Sequence, residues 1–445
     1  MITWRPQTLS TSNTPRIALN KSLLFLPKVY NAAAKADNSQ AQAGAATPMS
    51  TSEHSPSIQP LAGLIVLDLT LARAGPTCTR HLADWGADVI MVQTPGTSAE
   101  VLAHRDGSDY QNLHRGKRAI SLDLKSPRGH EAFLRLAAKA DVVVENMRPK
   151  VKHRLGIAYD DLKRINPRLV YGSISGFGQD GPYGDRAGVD QIAQGMGGLM
   201  SITGEPGGGP MRAGIAVNDV AAGTLLALAI MMTLFKRERT GEGAFVHTSL
   251  LETQLFLLDF QASRWLMSGD VAGQTGNNHP TIAPSSAYPT ADGYINIAAA
   301  FPAHWKVMCE AMGRLDWLDN PDWRSNGKRV ANRDALNAAI AEETRKRPSA
   351  HWVDLLEGAG IPCGPVYAVD EAFADPQVKH LGVAAPVEHP RLGSTHMVAS
   401  PIHISGADKT LRGAAPIGPD HTDEVLADVG YSAAQIAEMR SAGAI

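Results

Sequence analysis

Between residues 64 and 175 the chain alternates short apolar runs with segments whose apolar positions recur every three to four residues. The runs LIVLDL (64–69), DVIMV (88–92), AISLDL (119–124), DVVVEN (141–146) and RLVYGSIS (168–175) are rich in Val, Ile and Leu. Short continuous runs of this kind read as strands covered on both faces. Between them, Pro76 opens a helix that runs through Trp85 and stops at Gly86, Ser126 N-caps a second with Pro127 at its first position, and a short one covers 160–165. Strands and helices in alternation predict an α/β fold: an open, mostly parallel, Rossmann-like sheet joined by right-handed crossovers.

The most apolar helix lies further on, in MRAGIAVNDVAAGTLLALAIMMTLFKRERTG (211–241). Asn218 is placed as its N-cap, the run to Phe235 favours helix, and Lys236, Arg237, Arg239 and Gly241 form a C-terminal stop. The apolar run 220–235 falls short of a bilayer span and holds Gly223 and Thr224, so it reads as a buried core helix. Asp219 then falls in the first turn, where free N–H groups and the helix dipole favour a negative charge and lower a carboxylate's pKa. Such a charge stabilises a helix whether or not it does chemistry. Held beside an acyl donor, it is also a nucleophile.

Past this helix the pattern loosens. A strand running into one helix (245–267) precedes a polar segment (273–293), the strand YINIAAA (294–300), and helical stretches carrying Trp305, Trp317, Trp323 and Trp352. We read 61–275 as a large domain, 276–370 as a smaller α+β domain, and 371–445 as a return to the large domain through amphipathic helices in 421–430 and 432–443. Residues 1–60 differ in composition: Ser, Thr, Ala, Pro and Gln dominate, and Arg5, Arg16, Lys21, Lys28 and Lys35 precede the first acidic residue, Asp37. This is the composition of a disordered leader, with Met49 as an alternative start, or of a mitochondrial transit peptide.

Over all 445 residues, 42 basic side chains balance 44 acidic ones, which gives no reason to expect nucleic acid as a partner. Cys78, Cys309 and Cys363 are odd in number and far apart, so neither a disulfide framework nor a metal site is suggested, and a reducing compartment is expected. We therefore expect a cytoplasmic protein that is not membrane-bound, or a mitochondrial one if residues 1–48 are a transit peptide. The sheet invites a dinucleotide, but the first strand-to-helix turn, TLARAGPTC, has one Gly followed by Pro instead of a G-x-G-x-x-G fingerprint. EPGGGP (205–210) precedes no P-loop Lys-Ser/Thr pair and reads as a turn. A nucleotide-dependent oxidoreductase is disfavoured.

Taken in order, LAGLIVLDLT with AGP, LADWGADVI, KRAISLDLKSPRG, DVVVENMRPKVKHRLG, RLVYGSISGFGQDGP, AVNDVAAG, GIPCGPVYAV and GPDHTDEVL resemble the class III CoA-transferases, from about residue 61 to the C-terminus. That family includes formyl-CoA transferase, carnitine CoA-transferase and 2-methylacyl-CoA racemase. The resemblance implies an interlocked homodimer and Asp219 as nucleophile. It implies CoA as part of the substrate, a small carboxylic acid as second substrate and no permanently bound cofactor. It places the CoA contacts at Arg73, Ala74, Leu122, Asp123, Leu124, Lys125, Asn146, Met147, Arg148, Arg154, Arg186 and Val189. The family's usual Glu-basic pair after the second strand is Gln93–Thr94 here, so a phosphate contact is either missing or supplied by Arg105 or Lys117. Where formyl-CoA transferase has a Gly-rich loop that closes over the aspartyl intermediate, this chain reads GNNHPTIAPSS, without a run of glycines. The racemase branch has a His where this chain has Val189, which accepts no proton, so transfer is favoured over racemisation. His114, the one nearby substitute, reads as a solvated turn residue. Asp190 is expected to orient the Asp219 pocket or cap its own helix. Arg212, His279 and Ser285 are placed near the acid, with Arg212 suited to a second carboxylate such as that of a succinate-like acid. A non-catalytic CoA-binding protein is the remaining alternative.

Overall fold

The computed structural model describes residues 59–96 and 104–445, so all but the end of the expected leader lies outside the described residues. Six strands form one sheet, parallel throughout: β1 (Ile65–Leu69), β2 (Asp88–Gln93), β3 (Arg118–Ser121), β4 (Val142–Glu145), β5 (Val170–Ser175) and β6 (Phe245–Ser249). Their order is β3-β2-β1-β4-β5-β6. Strand order reverses between β1 and β4, and in sheets of this kind ligands bind beyond the carboxyl ends of the strands at that switch point.

The run of apolar residues in each strand is explained by cover on both faces. Leu67, Leu69, Ile120, Val143 and Tyr171 point to one face, where Phe133 and Leu136 of helix Pro127–Lys139 meet them. Val425, Leu426, Ile436 and Met439, from the C-terminal helices Thr422–Asp428 and Ala433–Ser441, complete that layer. Val66, Val89, Val142, Val144 and Val170 point the other way, against Cys78 and Leu82 of helix Ala74–Asp84 and Leu226 and Ile230 of helix Val217–Thr240. Burying each such side chain contributes about 1.5–3 kcal/mol. Two charged residues break the pattern: Asp68 in β1 and Glu145 at the end of β4 are fully buried.

The two helices of the second layer touch because Gly223 has no side chain. A Cβ there would stand 2.4 Å from the carbonyl oxygen of Ala74. This close approach sets the start of the long helix beside the turn that follows β1. Gly241 ends the same helix in the left-handed region (φ 72°), its N–H donating to the Arg237 carbonyl. At 24 residues, with an 18-residue stretch of mean hydropathy 1.7, the helix is long enough to cross a membrane, and it exceeds the apolar run expected from sequence. Ala222, Leu226, Ile230 and Leu234 are nonetheless buried in the core.

A second sheet, antiparallel, joins β7 (Ser285–Pro289), β8 (Tyr294–Ala298) and β9 (Cys363–Pro365). Helices between β8 and β9 pack Trp305, Met308, Trp317, Ile340 and Leu356 into its core. β7 lies inside the segment expected to be a polar loop; its buried positions, Ser286 and Tyr288, give no apolar alternation to read. Likewise the hairpin of β10 (Ala384–His389) and β11 (Gly393–Val398) was not expected, because it is largely exposed. The helix after β6 is broken at Asp259, which takes a positive φ of 46°, into Leu250–Leu257 and Phe260–Ser268. The first core helix starts at Ala74, two residues before Pro76, because the proline occupies an early-turn position instead of the first.

Candidate active site

At the switch point the turn after β1 is held from three sides. Asn146, just past β4, accepts from the Leu71 N–H (2.9 Å) and donates to the Leu71 carbonyl (2.7 Å). Thr70 donates through its N–H (3.0 Å) and hydroxyl (2.5 Å) to Asp68. Between them Ala72 is forced into the left-handed region, φ 61°, a conformation of the kind held only where surrounding structure over-determines it. Below the turn Lys117 donates to Asp68 Oδ2 (2.9 Å) and Thr79 Oγ1 (2.8 Å), with Thr79 also donating to Asp68 (2.7 Å). Burial works to raise the Asp68 carboxyl, but the Lys117 charge and the two threonine hydroxyls outweigh it and hold it below the ordinary carboxylate value.

A similar pair sits on the far side of the switch point. Lys152 is buried and donates to Glu145 (2.7 Å), Ser173 (3.1 Å) and Gln179 (2.6 Å), while the other Glu145 oxygen accepts from the Met147 N–H (2.6 Å). This network fixes the 146–154 segment. No sequence pattern distinguished Lys152 or Glu145 from surface charges.

Between the two anchored segments opens a cavity of about 700 Å³. It takes in Leu122, Leu124 and Met147 of the expected CoA contacts, with Leu69, Ala72, Met91, Tyr110 and Arg105. Leu124 is shared with a neighbouring cleft of about 710 Å³ that is also lined by Lys125, His130, His153 and Arg154. A largely apolar cavity beside a basic cleft suits a ligand with an apolar arm and phosphates. Asp123 turns the chain between the two, its carboxylate accepting from the Lys125 N–H (3.0 Å) and its carbonyl from Ser126 (3.1 Å). Arg73 pairs with Asp109 at the cavity wall (2.7 Å), Ala74 begins the core helix, and Arg148 is exposed ahead of helix Pro149–Arg154.

Other expected residues are engaged differently from expectation or lie away from the cavity. Lys117 is consumed by the buried ion pair and has no exposed charge for a phosphate. Arg105 lines the cavity, but its guanidinium donates to Gln93 (2.7 Å) and the Ile417 carbonyl (2.9 Å). His114 is buried, not solvated, and lines the cavity. Arg186 stacks over the Tyr183 ring (3.7 Å), and Val189 is exposed just before helix Asp190–Met196. Arg212 is exposed in the loop before the long helix. His279 and Ser285 line a separate cleft of about 600 Å³.

Asp219 is in the first turn of its helix, as expected, but the cap differs. The helix begins at Val217, and Asn218 is a buried first-turn residue instead of the N-cap. The free N–H groups of that turn are taken by Asp190, whose Oδ1 accepts from Asn218 (2.9 Å) and Asp219 (3.4 Å). Asp190 thus caps the neighbouring helix and not its own, and Gln194 holds its other oxygen at 2.6 Å. The donors expected to lower the Asp219 pKa therefore serve a second carboxylate. Burial, then the Asp190 charge, push Asp219 up to about 6, with Arg73 opposing them. At neutral pH Asp219 is an ionised, unusually basic carboxylate with no ion-pair partner among the described residues, close enough to Arg73 to feel its charge.

Comparison with known proteins shows the family. Residues 61–422 match the profile of CoA-transferase family III. Human succinyl-CoA:glutarate CoA-transferase is 34% identical over 87% of this chain and 90% of its own length. Succinyl-CoA:mesaconate CoA-transferase of Haloarcula marismortui is 37% identical over 82% and 96%. The crystal structure of a CAIB/BAIF family protein from Brucella suis superposes with a TM-score of 0.73 at 35% identity, covering 83% of this chain and 99% of that one. With a parallel sheet, a switch-point cavity and a profile match over most of its length, the chain is a member of CoA-transferase family III.

Proposed function

We propose that the protein moves CoA from a succinyl-CoA-like donor to a small dicarboxylic acid, with Asp219 as covalent carrier. The observation that supports this most directly is the state of Asp219: half-buried, raised to about 6 and without an ion-pair partner. A carboxylate that basic is a better nucleophile than an ordinary one and is still ionised at pH 7. Asp219 attacks the thioester carbonyl and expels CoA thiolate, leaving an aspartyl mixed anhydride. The thiolate attacks the aspartyl carbonyl, freeing the donor carboxylate and forming an aspartyl-CoA thioester. The acceptor carboxylate attacks that thioester, again expelling thiolate. The thiolate then attacks the acceptor's acyl carbonyl, releasing the new acyl-CoA and free Asp219. Each step exchanges one acyl bond for another of similar energy, and none requires a redox partner.

Both named relatives take succinyl-CoA and a dicarboxylic acid, which supports the substrate class. Arg73, whose charge reaches Asp219 while it pairs with Asp109, and Arg212, in the loop leading to the Asp219 helix, supply cations for a second carboxylate. In this reading CoA lies along the cavity and basic cleft, its phosphates near Lys125 and Arg154. The unit that works is a homodimer: Leu228, Met232 and Phe235 recur on one face of the long helix at 50–65% exposure, and Trp265, Leu266 and Met267 on a later helix are 57–88% exposed, large apolar side chains of the kind a partner subunit covers.

Incubation with succinyl-CoA and a panel of dicarboxylates, followed by peptide mass mapping with and without hydroxylamine, tests the scheme. A CoA adduct, or a hydroxamate, on the peptide carrying Asp219 is the expected result. Turnover without modification of that peptide would remove the covalent role.

A further inference from the structure

The ion pair beneath the cavity reaches one residue that the reaction scheme does not use. His114 ends helix Ser108–His114, with the Tyr110 ring 4.5 Å from its own and tilted by 42°. Its Nδ1 lies 3.3 Å from Lys117 Nζ. An ammonium group has only protons to give. Burial lowers the Lys117 pKa and Asp68 opposes it; with Asp68 itself held below the ordinary carboxylate value and accepting at 2.9 Å, and Thr79 Oγ1 accepting at 2.8 Å, we take the lysine as the ammonium, so Nδ1 is the acceptor and the imidazole proton is on Nε2. Nε2 has no hydrogen-bond partner among the described residues, while His114 lines the 700 Å³ cavity.

We propose that His114 is a substrate-binding residue whose Nε2–H, held in that tautomer by Lys117, donates a hydrogen bond to an uncharged acceptor of the CoA moiety. An adenine ring nitrogen or an amide carbonyl of the pantetheine arm has the required chemistry. The surroundings favour a neutral acceptor over a phosphate: Leu69, Leu71, Met91, Val92 and Leu113 are among the apolar residues of the wall. A second proton on the ring would sit between the Lys117 ammonium and the Arg105 guanidinium, with Asp68 opposing them and Tyr110 uncharged because burial raises its phenol. Burial and Lys117 push the imidazole down to about 3, so the donor is neutral wherever the enzyme works. This assignment rests on the reading of the cavity as a CoA site.

Calorimetric titration of CoA into the wild type, His114→Phe and His114→Gln, at pH 6 and pH 8.5, tests it. Phe keeps the ring against Tyr110 and removes the donor; Gln restores a donor. The expected result is binding by the wild type, weakening by about five- to tenfold in His114→Phe at both pH values, the loss of one neutral hydrogen bond, and recovery in His114→Gln. Repeating the series with 4′-phosphopantetheine separates the sources: a loss that persists assigns the contact to a pantetheine amide, and one that disappears assigns it to adenine. Equal CoA affinity in wild type and His114→Phe overturns the proposal, as does a loss confined to pH 6, which would mark a cation. Failure of the wild type to bind CoA overturns the CoA reading itself and this proposal with it. ¹⁵N NMR of the wild-type imidazole is independent of any variant: an Nε2–H tautomer that does not titrate between pH 5 and 8 is expected, and an Nδ1–H tautomer or a titrating ring excludes the role.

Discussion

Asp68 and Asp219 are carboxylates on either side of one turn, and the protein treats them in opposite ways. Asp68 is sealed from water, paired with Lys117 and hydrogen-bonded by two threonine hydroxyls, and its pKa lies below the ordinary value. Asp219 is only partly buried, has another carboxylate as its near neighbour, and titrates near 6. A fully satisfied carboxylate holds backbone in place and is a poor nucleophile. An unsatisfied one is costly to keep and reactive. Pairing is concentrated where the turn must be rigid and withheld where a bond must form.

The largest effect that this contrast predicts is on turnover. Asp219→Ala should lower CoA transfer by on the order of 10³-fold or more, since the covalent route has no substitute at that position, while leaving CoA affinity within a few-fold. Transfer rate and CoA binding, measured on the same preparation, check both halves. Asp68→Asn should do the reverse if the contrast is sound, acting first on stability.

Next in size is the consequence of breaking the sealed pair. Lys117→Met leaves the Asp68 charge buried without its cation, which costs about 3–5 kcal/mol, whereas Lys117→Met with Asp68→Asn should recover a large part of that loss. Urea unfolding of the two variants beside the wild type makes the comparison. Equal stability of single and double variants would mean that the pair is not what secures the turn.

How much of this could be read from the sequence follows from the same distinction. The parallel sheet was legible because both faces of every strand are buried, so LIVLDL and DVVVEN are apolar almost without interruption. The Ser126–Pro127 helix start was legible because capping is local: Ser126 accepts from Gly129 only three residues on. The Asp219 cap was not legible, since Asp190 is 28 residues from Asn218 and reaches it only through the fold. With those donors taken, the pKa moves up where helix-end reasoning predicted down. Lys117 and His114 were misread for a related reason. In sequence they are a turn lysine and a turn histidine, and only the packing of that turn against β1 turns them into a buried cation and a cavity wall. β7 and the β10–β11 hairpin were missed because their buried positions are few or polar.

The cost of keeping Asp219 unsatisfied should be measurable as stability. Its folded value near 6 lies above the unfolded value of 3.8, so the folded protein binds the proton more tightly than the unfolded chain does. Stability conferred by this group is therefore greatest below the unfolded value and is lost as pH rises through about 6. Asp219→Asn removes the charge, and discounting for partial solvent exposure we expect it to be about 1 kcal/mol more stable than wild type at pH 7. That advantage should vanish towards pH 4. Denaturation midpoints across pH 4–8 test the sign; an Asp219→Asn protein no more stable at pH 7 than at pH 4, relative to wild type, would argue that the carboxylate is satisfied after all.

The smallest effect concerns the neighbour that sets this value. Asp190→Asn keeps an oxygen to accept from Asn218 and Asp219 but removes the negative charge that helps raise the Asp219 pKa. Because Asp219 must be ionised to attack, the acid limb of the rate profile should move to lower pH. At pH 5 the variant should hold more of its maximal rate than wild type, by less than about tenfold, the size of a one-unit shift. At pH 8, where both are ionised, the less basic carboxylate should be somewhat slower. The new amide also turns a donor towards Gln194 Nε2, which now donates to Asp190, so a stability loss of about 1 kcal/mol should accompany the change without altering the direction of the pH shift. Because stability and pH profile respond to different atoms of the same side chain, an unmoved acid limb in a folded variant would leave burial alone as the cause of the raised Asp219 pKa and reduce Asp190 to a helix cap.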